Sequence, residues 1–371
     1  TRSWASVAQR LRQIPVVAAE EAGQWTNLHA QLHRTLRHRK ILPPNQRFLV
    51  AVSGGQDSLC LIQLLLDLQP KWGWHLAIAH CDHRWRSDSE ASANHVAQLA
   101  KNWGISYYLE TADRVATTEA AARQWRYHSL TKIAIAHNYP YIVTGHTQSD
   151  RAETLLYNLI RGSGADGLSA LTWQRPLADL GWENLDGNPE SKIPNPKSKI
   201  YLVRPLLDIT RSQTGQFCQE QKLPIWEDST NQDLQYARNR IRGELLPYLE
   251  THFNPKVQQA LGQTAEILRA DVEYLELAAS ELLQRAILAI NEPEQVNCQL
   301  PVKLNRLILR EAPQALQRRA MRQLLQQILP IAPSFESVEK LTGLILAPNR
   351  SQTDPFPGGA IARVEHPAII L

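Results

Sequence analysis

The run Phe48-Leu-Val-Ala-Val-Ser-Gly-Gly-Gln-Asp-Ser58 passes directly into Leu59-Cys-Leu-Ile-Gln-Leu-Leu-Leu66. An apolar stretch of strand length meets a Ser-Gly-Gly turn, and a helical leucine pattern starts at once. This order builds an anion site. Gly54 and Gly55 let the backbone approach a phosphate, and the first unpaired N–H groups of the helix point toward it. Ser53 and Ser58 add hydroxyls, and Gln56 adds an amide. Asp57, an acid beside a phosphate cradle, makes sense chiefly as a ligand to a phosphate-bound Mg²⁺. The spacing is not that of a Walker loop, because no Gly-Lys-Ser/Thr follows.

A strand, a turn and a helix of this kind belong to a βαβ architecture, and the rest of the first half repeats the alternation. Leu76–His80, Ile105–Leu109 and Tyr141–Thr144 read as strands, and 90–102, 120–137 and 150–161 read as helices. The implied fold is α/β, a doubly wound parallel sheet. After Pro255 leucine, alanine and isoleucine recur at helical spacing through 257–290, 313–329 and 334–347, which predicts a smaller all-α domain. We expect an N-terminal extension and helix over 1–44, a catalytic domain over 45–250 and a helical domain over 251–371. Within the catalytic domain, 178–200 is rich in proline, asparagine and charge and reads as a mobile loop.

With 371 residues the chain suits two or three domains. Its 40 basic and 36 acidic residues nearly balance, yet the basic ones cluster at 33–40 and at Arg306, Arg310, Arg318, Arg319 and Arg322. Such patches suit a phosphate backbone. The four cysteines, Cys60, Cys81, Cys218 and Cys298, form no Cys-x-x-Cys pair, which argues against a zinc site, an iron–sulfur cluster or a disulfide framework. No run reaches membrane-spanning length and the first residues do not read as a signal peptide, so a cytoplasmic location without membrane contact is expected. The start at Thr1 rather than methionine points to a missing or processed N-terminus.

In open parallel sheets ligands bind beyond the carboxyl ends of the strands. Four strand ends here are polar: Ser53–Ser58, His80-Cys-Asp82-His83-Arg-Trp-Arg86, Glu110-Thr111, and Gly145-His146-Thr-Gln-Ser-Asp150. Asp150 and Glu153 then share one helix face, where two carboxylates can hold Mg²⁺ or bind and deprotonate an amine.

Together these motifs resemble the PP-loop ATP pyrophosphatases, and among them the tRNA(Ile)-lysidine synthetase family. Ser53-Gly-Gly-Gln-Asp-Ser58 is similar to the family loop, and His80-x-Asp-His-x-x-Arg86 to its second element. Glu119-Ala-Ala-Ala-Arg123-Gln-Trp-Arg126-Tyr127 resembles the Ala-Arg-x-x-Arg-Tyr helix. Asp150-x-x-Glu153-Thr-Leu-Leu followed by Arg161-Gly162-Ser163-Gly164 resembles the longest signature. Arg204-Pro-Leu-Leu207, Asp228-Ser-Thr-Asn231 and Arg238-Asn239-Arg-Ile-Arg242 complete the set. Thr147, Ser149 and Arg151 stand where the family has histidine, aspartate and glutamine, so roles resting on those three do not carry over. Little chain follows residue 350, as in a short family form.

The resemblance implies an ATP-dependent ligase with Mg²⁺. It would join free L-lysine to C2 of the wobble cytidine in the CAU anticodon of tRNA(Ile), through an adenylated cytidine. Asp57, Asp150, Glu153 and Arg242 would be catalytic, with Asp57 on the metal. His80, Asp82, His83, Arg86, Arg123, Arg126, His146, Arg161–Gly164, Arg238 and Asn239 would bind substrate. The helical domain would grip the tRNA, and an oligomer is left open. The competing readings are a PP-loop tRNA thiolase, which needs a reactive cysteine such as Cys81, an amidotransferase-type relative, and a catalytically silent RNA-binding module.

Overall fold

The computed structural model describes residues 25–85, 88–115, 118–177, 199–226, 234–288 and 302–371. Residues 1–24, Arg86, the segment 178–198, Asp228-Ser-Thr-Asn231 and Cys298 lie outside the described residues. The chain divides into two compact units, one of residues 1–157 and 171–262 and one of residues 158–170 and 263–371. The first unit therefore ends at Gly262, and a short stretch from the middle of the chain joins the second.

In the first unit, α1 (Asn27–Arg39) precedes β1 (Arg47–Ala51), α2 (Gln56–Trp72), β2 (His75–Asp82), α3 (Ser89–Asn102), β3 (Ser106–Thr111), α4 (Glu119–Ala136) and β4 (Tyr141–Thr144). There follow α5 (Gln148–Ile160), α6 (Ala165–Leu168), β5 (Gln174–Pro176), β6 (Tyr201–Val203) and α7 (Arg211–Glu220), with α6 and the end of α5 belonging to the second unit. The six strands run in the order β3-β2-β1-β4-β6-β5. All neighbours are parallel except the β5–β6 pair. Strand order thus reverses between β1 and β4, the switch point at which such sheets open a crevice.

The doubly wound reading follows from alternation in the strands. Phe48 and Val50 of β1 enter the core that faces α1, α2, α3 and α7, whereas Leu49 enters the core that faces α4. Leu76 and Ile78 of β2 face the first core, and Ala77 and Ala79 the second. Both faces are apolar because both are covered. Helix α2 ends at Gly73, whose φ of 67° supplies the left-handed cap.

The unit closes with α8 (Ala237–Arg240), one π-helical turn (Ile241–Leu245), α9 (Leu246–His252) and the start of α10 (Val257–Ala286). The second unit holds the rest of α10, β7 (Ile287–Leu288), β8 (Lys303–Asn305), α11 (Arg306–Glu311), α12 (Gln314–Ile328), α13 (Phe335–Gly343), β9 (Arg363–Glu365) and β10 (Ala368–Ile370). Ala320, Met321, Leu324 and Leu325 of α12 pack on Leu282 and Leu283 of α10 and on Leu341 of α13. Helices dominate, but the expectation of an all-α unit is corrected by an antiparallel sheet of order β7-β8-β10-β9. Strands of two or three residues are too short for alternation to reveal them. Among the described residues no helix is long and apolar enough to cross a membrane.

Candidate active site

At the switch point the turn after β1 is fixed from within. Ser58, at the start of α2, donates to the Gly55 carbonyl at 2.8 Å and lies 3.2 Å from the Ser53 hydroxyl. Ser58 is buried and staples the loop, whereas Ser53 is exposed. Gly54 has φ of +88°, which a side chain rarely tolerates. Its carbonyl accepts from the Trp226 amide at 2.9 Å. Across the crevice Gly145 brings β4 so close that an added Cβ would lie 2.9 Å from the Asp57 carbonyl oxygen.

A cleft of about 430 Å³ opens here, with Ser53, Asp57, His83, Arg126, His146 and Asp150 among its walls. A second cleft of about 460 Å³ shares Gln56 and Arg211 with it and is bordered by Glu153 and Arg242. Asp57 sits between α2 and α7. Its Oδ1 accepts from the Thr214 hydroxyl. Its Oδ2 has the Arg211 guanidinium at 3.9 Å, which leaves an oxygen for a hard cation. Burial raises the Asp57 carboxyl above its ordinary range, and Arg211 opposes that rise. Gln56 faces α7, donating to the Arg211 carbonyl at 2.7 Å and to the Thr214 hydroxyl at 2.8 Å.

The acidic pair on α5 is not a pair of free bases. Arg242, on the π-helical turn, grips Glu153 through Nε–Oε1 at 2.6 Å and Nη2–Oε2 at 2.7 Å, and its Nη2 is 3.5 Å from Asp150 Oδ1. Burial raises the Glu153 carboxyl, with the Arg242 bonds opposing. A π turn offsets the register by one residue and is common at functional sites.

The elements after β2 and β4 divide between structure and cleft. His80 Nδ1 pairs with the Val52 carbonyl at 2.8 Å, joining β2 to the end of β1. Asp82 Oδ1 accepts from the Arg84 amide at 2.8 Å and shapes the turn, where Arg84 has φ of 55°. His83 packs edge-on to Trp125, and burial pushes its imidazole down to about 4, with Arg126 adding to the effect. His146 contacts the Thr144 hydroxyl at 2.9 Å. Burial, and then Arg204, Arg123 and Arg126, drive its imidazole well below the ordinary value. Arg126 Nε is buried without a hydrogen-bond partner among the described residues. Arg123 lies over the Tyr127 ring at 5.2 Å and Arg238 over Tyr157 at 5.6 Å. Asn239 is half-buried on α8. Arg161–Gly164 belongs to the second unit.

Residues 25–249 match the PP-loop domain family. The tRNA(Ile)-lysidine synthase of a Nostoc species is 63% identical over 94% of this chain and 97% of that protein. The protein of the same name from a Synechocystis species is 52% identical over 92% of this chain and 96% of its own length. The chain belongs to the tRNA(Ile)-lysidine synthase family. Its PP-loop fold is shared by a U34-tRNA thiolase of Methanococcus maripaludis, at 17% identity with a TM-score of 0.50, covering 65% of this chain and 78% of that one.

The three departures from the lysidine synthase pattern have structural roles in this family member. Thr147 donates through its amide (2.7 Å) and hydroxyl (2.8 Å) to Asp150 Oδ2, fixing the first turn of α5. Ser149 Oγ accepts from the Arg211 amide at 3.2 Å and so ties α5 to α7. Arg151 is buried and donates through Nε and Nη2 to the Leu171 carbonyl.

Arg211, Thr214 and Trp226 were not among the expected site residues. A capping box from Thr210 to Gln213 starts α7 and marks its place in the sequence, but nothing local shows that the helix lies against Asp57.

The basic clusters of the second unit also read differently in three dimensions. Arg306 donates to the carbonyls of Ile345 and Ala347, and Arg318 pairs with Glu339 at 2.6 Å. Arg319 binds Asp166 and Glu276, and Arg322 binds Asp166. These four guanidiniums have partners within the unit, while Arg318 and Arg322 keep 42% and 39% of their side-chain surface exposed. Arg310 is exposed.

Proposed function

We propose that this chain uses ATP to join free L-lysine to C2 of the wobble cytidine in the CAU anticodon of tRNA(Ile), giving lysidine and changing the codon read from AUG to AUA. The observation that carries the reading is the phosphate loop at the switch point, with Asp57 facing the cleft, in a chain 63% identical to a tRNA(Ile)-lysidine synthase.

The cytidine O2 attacks the α-phosphorus of ATP and pyrophosphate departs. The lysine ε-amine then adds to C2, loses a proton, and AMP leaves with the former O2. Amides of the Ser53–Ser58 loop and the N-terminus of α2 cradle the phosphates. Asp57 and the phosphates would hold Mg²⁺, which when bound would neutralise charge on the leaving pyrophosphate. Asp57 Oδ2, whose neighbour Arg211 stands back at 3.9 Å, is the oxygen that would meet such a hard cation. Arg126, with its Nε lacking a partner, is placed to pair with a developing negative charge in the cleft. His146 is held neutral there, so it can take part in hydrogen bonds without repelling Arg126. Asp150 on the first cleft and Glu153 on the second border the path by which a cationic amine would approach, and Arg242 sets how much negative charge they present. A base buried in an anticodon stack must be splayed out to react.

The thiolase alternative loses support at Cys81. Burial pushes that thiol up to about 12, so it is not a ready thiolate at neutral pH. The experiment is mass spectrometry of tRNA(Ile) after incubation with ATP and isotopically labelled lysine. A lysine-bearing cytidine supports the reading, and pyrophosphate release without any modified nucleoside overturns it.

A further inference from the structure

The glycine-rich segment after α5 is folded tightly on itself. The Gly162 amide donates to the Leu159 carbonyl at 3.0 Å and the Ser163 amide to the Asn158 carbonyl at 2.9 Å. Asn158 Nδ2 reaches the Gly167 carbonyl at 2.7 Å, and the Ser169 hydroxyl reaches the Asp166 carbonyl at 2.7 Å. From this compact loop a single carboxylate projects to α12. Asp166 Oδ1 accepts from Arg319 at 2.9 Å, and Oδ2 accepts from Arg322, one turn further along the same helix. Arg319 also binds Glu276 of α10. Gln323 Nε2 holds that glutamate at its carbonyl (2.9 Å) and its carboxylate (2.6 Å). Arg319 is 14% exposed and forms the buried centre of the network, with Asp166, Glu276 and Arg322 at 27%, 36% and 39%. All of these residues lie in the second unit.

We propose that Asp166 is a positioning residue that moors the Arg161–Gly164 loop to α10 and α12, so that the loop meets the tRNA already ordered as part of the helical unit. This rests on the lysidine synthase reading and adds a role that the arginines alone do not suggest. Arg319 and Arg322 act on RNA through the loop they hold. A loop fixed before binding avoids the ordering cost that a loose one incurs on contact. The loop follows directly on the helix that carries Asp150 and Glu153, and it presents Arg161 at the surface.

The test uses the full chain with Asp166→Asn and, as a second variant, Arg322→Gln. Steady-state lysidine formation is measured against tRNA(Ile) at saturating ATP and lysine, and ATP affinity is measured separately. The KM for tRNA should rise about tenfold in both variants, with kcat and ATP affinity held within about twofold. Asp166→Glu should recover most of the loss. An unchanged KM in a folded Asp166→Asn protein overturns the inference, as does an equal fall in ATP affinity, which would make the network purely structural. If Asp166→Asn does not fold, Arg322→Gln decides on the same criteria. Wild-type protein that forms no lysidine overturns the functional reading and this inference with it. Wild-type activity with an unchanged variant KM overturns this inference alone.

Discussion

Arg242 holds Glu153 by two parallel bonds of 2.6 and 2.7 Å, and the same guanidinium stands 3.5 Å from Asp150. The two carboxylates and the arginine therefore act as one unit. Spacing alone makes Asp150 and Glu153 an equivalent pair on one helix face, able to hold Mg²⁺ or to bind and deprotonate an amine. The structure makes Glu153 (side chain 4% exposed) the anchor of Arg242, and leaves Asp150 (23% exposed) nearer the cleft.

Removing Glu153 should therefore cost stability before it costs specificity. Glu153→Gln leaves the half-buried Arg242 guanidinium with a weaker partner and with Asp150 still 3.5 Å away, a loss of about 1–3 kcal/mol. The expected result is a lower midpoint in denaturant unfolding together with loss of both adenylation and lysine transfer. A normal midpoint, with only the lysine requirement raised, would return Glu153 to direct lysine binding.

Asp57 lines the cleft with Oδ1 bonded to Thr214 and Oδ2 3.9 Å from Arg211 Nε. Asp57→Ala should reduce ATP-dependent pyrophosphate release on the order of a thousandfold, as loss of a metal ligand to the leaving group does. tRNA binding measured by filter retention should be nearly unchanged. Pyrophosphate release at the wild-type rate would remove Asp57 from the chemistry.

Thr147 offers a finer test, because it is fully buried and bonds Asp150 through amide and hydroxyl. Thr147→Val keeps the shape and removes the hydroxyl. The stability cost should be about 1 kcal/mol, as for a lost N-cap. Activity should fall further than stability, because Asp150 Oδ2 is freed to turn away. Equal activity in wild type and variant would show that the amide bond alone fixes Asp150.

The His83 imidazole, pushed down to about 4 chiefly by burial, makes stability depend on pH. In the unfolded chain it titrates at about 6.5, so between there and about 4 the unfolded state binds a proton that the folded state does not. The contribution is full above the unfolded value and is lost as pH falls through the folded one. Tm of the wild type should thus decline over that window relative to that of His83→Phe. A difference constant from pH 7 to pH 4 would remove His83 as the cause.

For RNA capture, Arg318 and Arg310 make a contrast. Arg318 is paired with Glu339, whereas Arg310 is exposed on α11. Arg310→Ala should lower the slope of log affinity against log salt by about one, and Arg318→Ala should leave it unchanged. The reverse order would show that the Arg318–Glu339 pair opens on RNA.

The phosphate loop, the α/β alternation and the family were legible in the sequence because each rests on local order. An apolar strand, two glycines and a helix start are adjacent in sequence and so can be read as a phosphate loop, and β-branched runs between helical patterns point to a wound sheet. Tertiary structure alone decided what the side chains do once distant segments meet. Arg211 and Thr214 reach Asp57 from more than 150 positions away, and Arg242 reaches Glu153 across 89. The arginines of α12 look like an RNA surface in one dimension, yet Asp166, Glu276 and Glu339 supply their counter-charges from elsewhere in the chain. A spacing pattern records which face of a helix a residue occupies. The charge that a buried guanidinium meets depends on which other helix packs there, and that is fixed by the fold.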